Sequence, residues 1–345
     1  MMYSLPAEWY EQDGVVLTWP HQDTDMAPFL KQVYPIYLKI SKAITQRQKL
    51  VLIVHDSILK SEVKNKLISH KIDLKKVIFV IAPTNDIWIR DYGIITLINS
   101  QKKLKINNFI FNGWGNKYKN YLDNRINIHL INQIINPEVK TESIPFVLEG
   151  GAIDSDGKGT LLTTKSCLLN PNRNPQFTRK KIEEILLEKL GIKKIIYLEH
   201  GYLEGDDTDG HVDTLVRFAP NNTIVYVTCS DKKDSHYKDF QGLETELKDL
   251  KTEEVKSYNL ISLPWPEPKY NAQGNRLPAT YANYLIMNGA VLVPIYRDKS
   301  DKTALIQVQK AYPNYQIIGI DCLPLIYQFG SLHCISMQLP KGLLK

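Results

Sequence analysis

The sequence predicts a mixed α/β protein built as a cyclic array of strand–strand–helix–strand (ββαβ) modules. Three observations lead to this prediction. The module pattern repeats in consecutive segments from residue 159 onward, turn signals separate the first two strands of the clearest modules, and no Pro/Gly-rich or low-complexity linker divides the chain. Hairpins mixed with single helices exclude a purely parallel doubly wound sheet. We therefore expect one domain spanning residues 1–345.

The clearest module begins with apolar strands at residues 214–218 and 223–228, joined by the turn-forming residues 220–222. A helix and a strand that ends at Leu263, before Pro264, complete it. The helix is indicated by apolar residues at helical spacing, namely Phe240, Leu243, Leu247 and Leu250.

The modules on either side follow the same plan. Downstream, Asn288-Gly289 predicts a tight hairpin, Asp301 is expected to cap a helix that stops before Pro313, and QIIGI closes the unit. Upstream, strand GTLLTT precedes a helix that starts at Thr178 and ends at Gly191, and KIIYL follows. The N-terminal half is less regular, with strands VVLTW, LVLIV, VIFVI and GIITLI and a helix near 29–46.

Composition excludes several classes of function. A hydrophobic fraction of 43% and a charged fraction of 23% are typical of a globular protein. The net charge of +6 comes from basic residues scattered among acids, which does not indicate a nucleic-acid partner. No apolar run approaches membrane-spanning length, and the first residues resemble no signal peptide. Four cysteines without CxxC spacing are typical of reduced thiols, so we expect a cytoplasmic protein with no membrane partner.

Cys334 differs from the other cysteines in its surroundings. It lies in a Gly-Ser-x-His-Cys turn, where backbone amides and the adjacent His333 imidazole would favour the thiolate. Cys167, Cys229 and Cys322 lie among apolar residues. The alternative is that Cys334 is also a buried structural thiol.

His211 and Asp213 are two residues apart in GHVD, and on a strand both would project from one face. A cysteine with a proton-shuttling histidine is the minimum for nucleophilic catalysis. The alternative is a surface loop, although the neighbouring acids Asp206, Asp207 and Asp209 would repel one another unless a cation met them.

Trp88 and Asp91 in NDIWIRDYG suit a planar cation, because a guanidinium stacks on aromatic rings and pairs with carboxylates through two hydrogen bonds. The alternative is that Trp88 is core and Arg90 pairs with Asp91. Taken together, two carboxylates, an aromatic ring, a histidine and a cysteine describe a guanidinium pocket with a nucleophile inside.

The chain resembles the agmatine deiminase and bacterial-type peptidyl-arginine deiminase family. The motifs are NDxWxRDxG, EGG followed by DGKGTLLTTKSCLLNPNRNP, GHVDTLVRF, YANYLIMNG and the C-terminal HC, in the family's order from residue 18 to residue 340. The resemblance implies the pentein fold, five ββαβ modules around a pseudo-fivefold axis. It also implies that Cys334 is the nucleophile and His211 the general acid/base, and that Asp91 and Asp213 hold the guanidinium. Trp88 would line the pocket, and Asn283 would be an inner-shell residue of the substrate site.

The implied activity is hydrolysis of a linear amidine C–N bond without metal or cofactor. Agmatine, a small cationic guanidine, would give N-carbamoylputrescine and ammonia, a step in putrescine and polyamine biosynthesis. We expect Asp206 and Asp207 to contact its distal amine. Arginine or peptidyl-arginine is the alternative substrate, and homodimers are common for such enzymes.

Two rival hypotheses remain. One is a metal-dependent oxygenase, because His211, Asp213 and His333 match the ligand set of a two-histidine, one-carboxylate iron site. The other rival is a pentein that serves only as a binding module.

Overall fold

The computed structural model describes residues 2–345 of the chain. Its strands, in chain order, are β1 Tyr3–Ser4, β2 Gln12–Thr18, β3 Lys49–Val54, β4 Val77–Ile81, β5 Ile95–Asn99, β6 Leu104–Ile110, β7 Lys140–Val147, β8 Ile153–Ser155, β9 Thr160–Thr164, β10 Lys194–Leu198, β11 Val216–Ala219, β12 Thr223–Val227, β13 Asn259–Leu263, β14 Lys269–Tyr270, β15 Arg276–Leu277, β16 Leu285–Met287, β17 Ala290–Ile295, β18 Gln316–Asp321 and β19 Ser336–Pro340.

The α-helices lie between these strands. They are α1 Leu30–Thr45, α2 Ser57–Ser69, α3 Ile89–Tyr92, α4 Gly113–Asn116, α5 Ile126–Ile134, α6 Lys165–Leu168, α7 Arg179–Leu190, α8 Tyr237–Asp249 and α9 Asp301–Ala311. Local sequence explains the bounds of α7. The Thr178 side chain accepts a hydrogen bond from the amide of Lys181, and Gly191 takes the left-handed conformation that ends the helix.

Within the described residues, five sheets share one plan, an antiparallel pair with a parallel strand beside its second member. They have the orders β1-β5-β6-β7, β10-β9-β8, β11-β12-β13, β16-β17-β18 and β19-β2-β3-β4, and β14-β15 forms a small separate ribbon. A helix connects each parallel pair, as parallel pairing requires. The C-terminal strand β19 pairs antiparallel with β2 near the N-terminus, so the two ends of the chain share a sheet.

The predicted mixed α/β class is confirmed, and so are the predicted strands, the Asn288-Gly289 hairpin and the helix stop before Pro313. The predicted cap of α9 is wrong. Ser300 occupies the cap position, and the Asp301 carboxylate accepts hydrogen bonds from the Tyr281 hydroxyl and the Tyr296 amide instead. No described helix is both long and apolar enough to cross a membrane.

Apolar side chains fill the space between sheets and helices. One large cluster links the sheets of β2, β12 and β17, and a second lies under α7, where Ile182, Leu186 and Leu190 are buried. Ile185, predicted for the same stripe, is only partly buried. This rigid core fixes the loops that precede the strands, and the candidate site is built from those loops.

Candidate active site

The reactive residues occupy equivalent positions in the five sheets. Each lies two to five residues before the first strand of an antiparallel pair: Asp91 before β5, Glu149 before β8, His211 and Asp213 before β11, Asn283 before β16 and Cys334 before β19. Because the sheets share one plan, these loops point their side chains toward a common centre.

A pocket opens at this centre. Cys334 and Asp91 line its inner part, and the rings of Trp88 and Trp114 form its walls. The carboxylates of Asp25, Asp86 and Asp207 also line it, together with Tyr118, Thr208 and residues 328–330. The lining has no lysine, arginine or histidine side chain among the described residues.

Cys334 is 9% exposed and faces the pocket. The side-chain oxygen Oδ1 of Asn283 fixes its turn, because it accepts a hydrogen bond from the amide of His333 at 2.9 Å and lies 3.4 Å from Cys334 Sγ. The other end of that side chain, Asn283 Nδ2, is buried without a hydrogen-bond partner. The structure thus places Asn283 beside Cys334.

The expectation that His333 favours the Cys334 thiolate is wrong. The His333 ring is held by Asp213 and Glu8 instead of facing the sulfur. Burial, with the negative charges of Asp213 and Asp91, holds the pKa of Cys334 well above its ordinary value. The group in the substrate-free protein is therefore a thiol.

Asp91 lies in the short helix α3 and accepts two hydrogen bonds. Its Oδ1 receives the Gly151 amide at 2.9 Å and its Oδ2 receives the Trp114 indole N–H at 2.9 Å. Burial raises the pKa of Asp91 to about 6, although the nearby His211 lowers it. The alternative that Arg90 pairs with Asp91 is wrong, because the Arg90 guanidinium pairs with Glu8, with Nη1 3.1 Å from Oε1.

His211 is fully buried, but the backbone that follows it does not have the expected strand conformation. Residues Val212–Thr214 form a 3₁₀ turn, so the strand-face argument for His211 and Asp213 is wrong. His211 Nε2 lies 2.9 Å from Glu149 Oε2, and Nδ1 lies 3.6 Å from Asp91 Oδ1. Burial alone would lower the pKa of His211, but Asp91, Cys167 and Glu149 raise it well above the ordinary value. The ring is an imidazolium at neutral pH.

Glu149, the first residue of the EGG motif, is a site residue that was not predicted from the sequence. Besides His211, it binds the guanidinium of Arg173, with Nε at 2.9 Å from Oε1. Cys167 donates a hydrogen bond to the same carboxylate at 3.7 Å. A catalytic histidine is expected to have a carboxylate partner, but only the fold shows that Glu149 is the carboxylate that reaches His211.

Asp213 is fully buried. Its Oδ2 lies 2.7 Å from His333 Nδ1, and its Oδ1 has no hydrogen-bond partner. A methyl group built on Gly151 would lie 2.8 Å from Asp91 Oδ1 and 3.1 Å from Asp213 Oδ2. The two carboxylates predicted to hold a guanidinium are therefore brought together, around Gly151.

The outer part of the pocket carries Asp25, Asp86 and Asp207. Burial, with the charges of Asp25 and Asp207, raises the pKa of Asp86 to about 7. Burial and Asp206 raise the pKa of Asp207 to about 6, and its Oδ2 accepts a hydrogen bond from the Tyr118 hydroxyl at 2.8 Å. Asp25 and Asp86 were not predicted; Asp86 lies within the motif of Trp88, which is a sequence signal.

Asp206 is not among the residues that line the pocket, which corrects its expected contact with a substrate amine. Its two oxygens accept hydrogen bonds from the Thr208 hydroxyl at 2.6 Å and the Gly210 amide at 2.7 Å. Asp206 thus closes the loop that carries Asp207, as aspartate commonly does beside glycine.

One group of described residues could hold a metal ion, namely Glu149, Cys167 and His211. Arg173 already neutralises that glutamate. The proposed iron ligands His211, Asp213 and His333 do not form such a group within residues 2–345. The site geometry gives the oxygenase hypothesis no support.

Comparison with known proteins places this geometry in context. Residues 4–340 match the family described as Porphyromonas-type peptidyl-arginine deiminase. A candidate agmatine deiminase of Legionella pneumophila is 34% identical over 343 residues, which cover 99% of this chain and 95% of that protein.

Two solved structures extend the likeness. A candidate arginine deiminase from Porphyromonas gingivalis has 43% identity and a TM-score of 0.92, with 100% of both chains covered. A Cys-to-Ser variant of C. jejuni agmatine deiminase with substrate bound has 39% identity and a TM-score of 0.90, covering 99% of this chain and 97% of that chain.

Proposed function

Because the chain belongs to the Porphyromonas-type peptidyl-arginine deiminase family, we propose that it hydrolyses agmatine to N-carbamoylputrescine and ammonia. The carrying observation is the charge of the pocket. Four aspartates and no basic side chain are among its lining residues in the described chain. Agmatine has a cationic group at each end and no carboxylate, so it matches a pocket of this charge.

The four aspartates divide into two groups that suit the two ends of agmatine. Asp91 lies beside Cys334 and is influenced electrostatically by Asp213 and Glu149. Asp86 is influenced by Asp25 and Asp207 instead. We assign the guanidinium to the first group and the distal ammonium to the second.

The guanidinium end would lie between Asp91 and Asp213, against the rings of Trp88 and Trp114. The unpartnered Asp213 Oδ1 is a free acceptor for it. The positive charge of the substrate also favours ionisation of the Cys334 thiol. A cation between the carboxylates offsets the charges that raise the pKa of Cys334, so substrate binding promotes loss of the thiol proton to solvent.

The first chemical step forms the bond between Cys334 sulfur and the guanidinium carbon. His211 already carries a proton at neutral pH and gives it to the departing nitrogen, so the C–N bond breaks and ammonia leaves. Glu149 holds the ring in place through Nε2. The product of this step is a covalent amidino-cysteine.

The second step hydrolyses that intermediate. Neutral His211 takes a proton from a water molecule, whose oxygen bonds to the amidino carbon. The C–S bond then breaks, the hydroxyl proton passes to the sulfur, and Cys334 returns as a thiol beside a protonated His211. Carboxylates hold the substrate throughout, so the residues named here need no metal.

The same reasoning supports a finer description of the fold. We propose that the five sheets are the five blades of a pentein, arranged around a pseudo-fivefold axis as one domain. The equivalent placement of reactive residues before the first strand of each antiparallel pair supports this arrangement.

A panel of guanidines tests the proposed function. We expect ammonia release from agmatine to exceed that from arginine in kcat/KM by about a hundredfold or more, since the arginine carboxylate would meet like charge in a partly desolvated pocket. Cys334→Ser protein is the matched control for contaminating activity. Equal efficiency on agmatine and arginine would contradict the agmatine assignment, and preference for a peptidyl-arginine substrate would establish the alternative.

A further inference from the structure

The carboxylate of Asp213 is held from one side only. His333 Nδ1 lies 2.7 Å from Oδ2, and Oδ1 has no partner although Asp213 is fully buried. An ionised carboxylate can only accept hydrogen bonds, so the proton of this bond belongs to His333 Nδ1. The unpartnered Oδ1 is left for another donor.

His333 is itself held from behind by the N-terminal segment. Its Nε2 lies 2.8 Å from Glu8 Oε1 and 3.2 Å from the Arg217 guanidinium. Glu8 pairs in turn with Arg90, at 3.1 Å, and with Arg217. His333 is 0% exposed, and residue 8 lies 325 positions away in sequence. The mechanism above uses neither residue.

We propose that His333, backed by Glu8, is a positioning residue for Asp213, which it fixes so that Oδ1 faces the substrate guanidinium. The proposal rests on the proposed function and deepens it. It differs from a role in activating Cys334, because the imidazole is directed away from the sulfur.

The charges around Asp213 give this contact a measurable consequence. The charged and titratable groups that act on Asp213, or on which it acts, are His333, His211, Arg217, Arg90, Asp91 and Cys334. Burial alone would raise the pKa of Asp213, but the hydrogen bond from His333 helps to hold it below the ordinary value. Burial and the charges of Arg217 and Arg90 lower the pKa of His333 itself, so the hydrogen bond from the neutral ring is the contact that matters. Loss of the His333 contact should therefore make Asp213 harder to ionise.

Two substitutions separate the two ends of the imidazole. In His333→Asn, the side-chain amide nitrogen is attached to Cγ like Nδ1 and can still donate to Asp213. In His333→Gln, the amide lies one atom farther out, near the Nε2 position, and can contact Glu8 but not replace the bond to Asp213. A merely structural role would not distinguish the variants in this way.

The test is the pH profile of kcat/KM for agmatine. We expect KM of His333→Gln to rise about tenfold or more. The acidic limb should also move up by about one pH unit, because Asp213, buried beside Asp91 and without its His333 partner, would then ionise above the pKa of about 6 that Asp91 has. His333→Asn should keep both parameters closer to those of the unmodified protein. Leu186→Ala, a buried change in the second core cluster, is the control for lost stability and should leave the limb in place. Equal profiles for all three variants would overturn the proposal.

A second measurement uses the unmodified protein and requires no turnover. Long-range proton–nitrogen NMR spectra of protein with ¹⁵N-labelled histidine report which ring nitrogen of a histidine carries the proton. We expect a protonated Nδ1 for His333. A His333 protonated only at Nε2 would overturn the positioning role, even if the protein released no ammonia and the proposed function had failed.

Discussion

Gly151 and His211 are so close that no side chain fits between them. A β-carbon built on Gly151 would lie 2.6 Å from His211 Nδ1, well inside van der Waals contact. The glycine does not have a positive φ, so the reason for it is space, not backbone conformation. The glycine allows His211 and the two guanidinium-binding carboxylates to approach one backbone position.

Gly151→Ala should reduce kcat/KM for agmatine by about a hundredfold or more, because misplacement of a catalytic group by about 1 Å has effects of this size. The measurement is steady-state ammonia release, with the melting temperature followed in parallel.

The control for this change is Gly319→Ala in β18. There the added methyl would meet side chains no closer than 3.3 Å, at a glycine that also has no positive φ. Activity should be nearly unchanged. A Gly151→Ala enzyme as active as the Gly319→Ala enzyme would show that the convergence around Gly151 is not needed for catalysis.

Asp91→Asn should abolish turnover and at the same time make Cys334 more reactive. The Asp91 charge helps to raise the pKa of Cys334, so its removal lowers that pKa and increases the thiolate fraction at pH 8. Each unit of pKa gives up to about a tenfold change in the rate of alkylation by iodoacetamide. The rate is followed by mass spectrometry of the peptide that contains Cys334.

Asp231→Asn, an exposed change, is the control for this experiment. Alkylation of Cys334 should proceed in it at the rate of the unmodified protein. Slower alkylation in Asp91→Asn would contradict the account of why Cys334 is a thiol without substrate.

Agmatine should bind more tightly as pH rises from 5.5 to 8. The carboxyls that would hold it have raised pKa values, about 6 for Asp91 and Asp207 and about 7 for Asp86. They are largely protonated at the lower pH and ionised at the higher one. Calorimetry with Cys334→Ala protein should give an affinity at least about tenfold higher at pH 8.

The free energy of unfolding of the substrate-free protein should fall as pH rises, whereas the affinity for agmatine rises. A carboxyl whose folded pKa is raised contributes stability at low pH, and that stability is lost as pH rises through the folded value. These three acids therefore make the substrate-free protein less stable as pH rises from about 4 to about 7, and agmatine should restore that stability. Agmatine-induced stabilisation that falls with rising pH would contradict the assignment of these acids to the cation.

Asp207→Asn tests the distal end of the pocket alone. The amide oxygen of asparagine can still accept the Tyr118 hydroxyl, so the main loss is charge. We expect kcat/KM for agmatine to fall about tenfold or more, equivalent to about 1.4 kcal/mol.

Butylguanidine is the matched control substrate, because it lacks the distal ammonium. Its kcat/KM should change by less than about twofold in Asp207→Asn. Equal losses for the two substrates would mean that Asp207 acts on the guanidinium end or on the fold.

Much of the fold follows from local sequence alone. The hairpin at Asn288-Gly289 and the ends of α7 at Thr178 and Gly191 are set by the conformations that those residues favour, so they were predictable. Cys334 and Asp91 were also predictable from local sequence, because each lies in a short glycine-containing motif of the kind that carries reactive residues. The cap predicted at Asp301 was wrong, because its carboxylate accepts hydrogen bonds from the Tyr281 hydroxyl and the Tyr296 amide, and these partners come from outside the helix.

Tertiary structure decided which of these side chains meet. Glu149 reaches His211 across 62 positions of sequence, and Glu8 reaches His333 across 325. Nothing local specifies such contacts, because they depend on how whole sheets pack. The sequence by itself determined the modules and the chemistry that each loop carries. Packing decided that Asp207 lines the pocket while Asp206 closes a turn, and that His333 serves Asp213 instead of Cys334, since burial and partners exist only once the sheets are assembled.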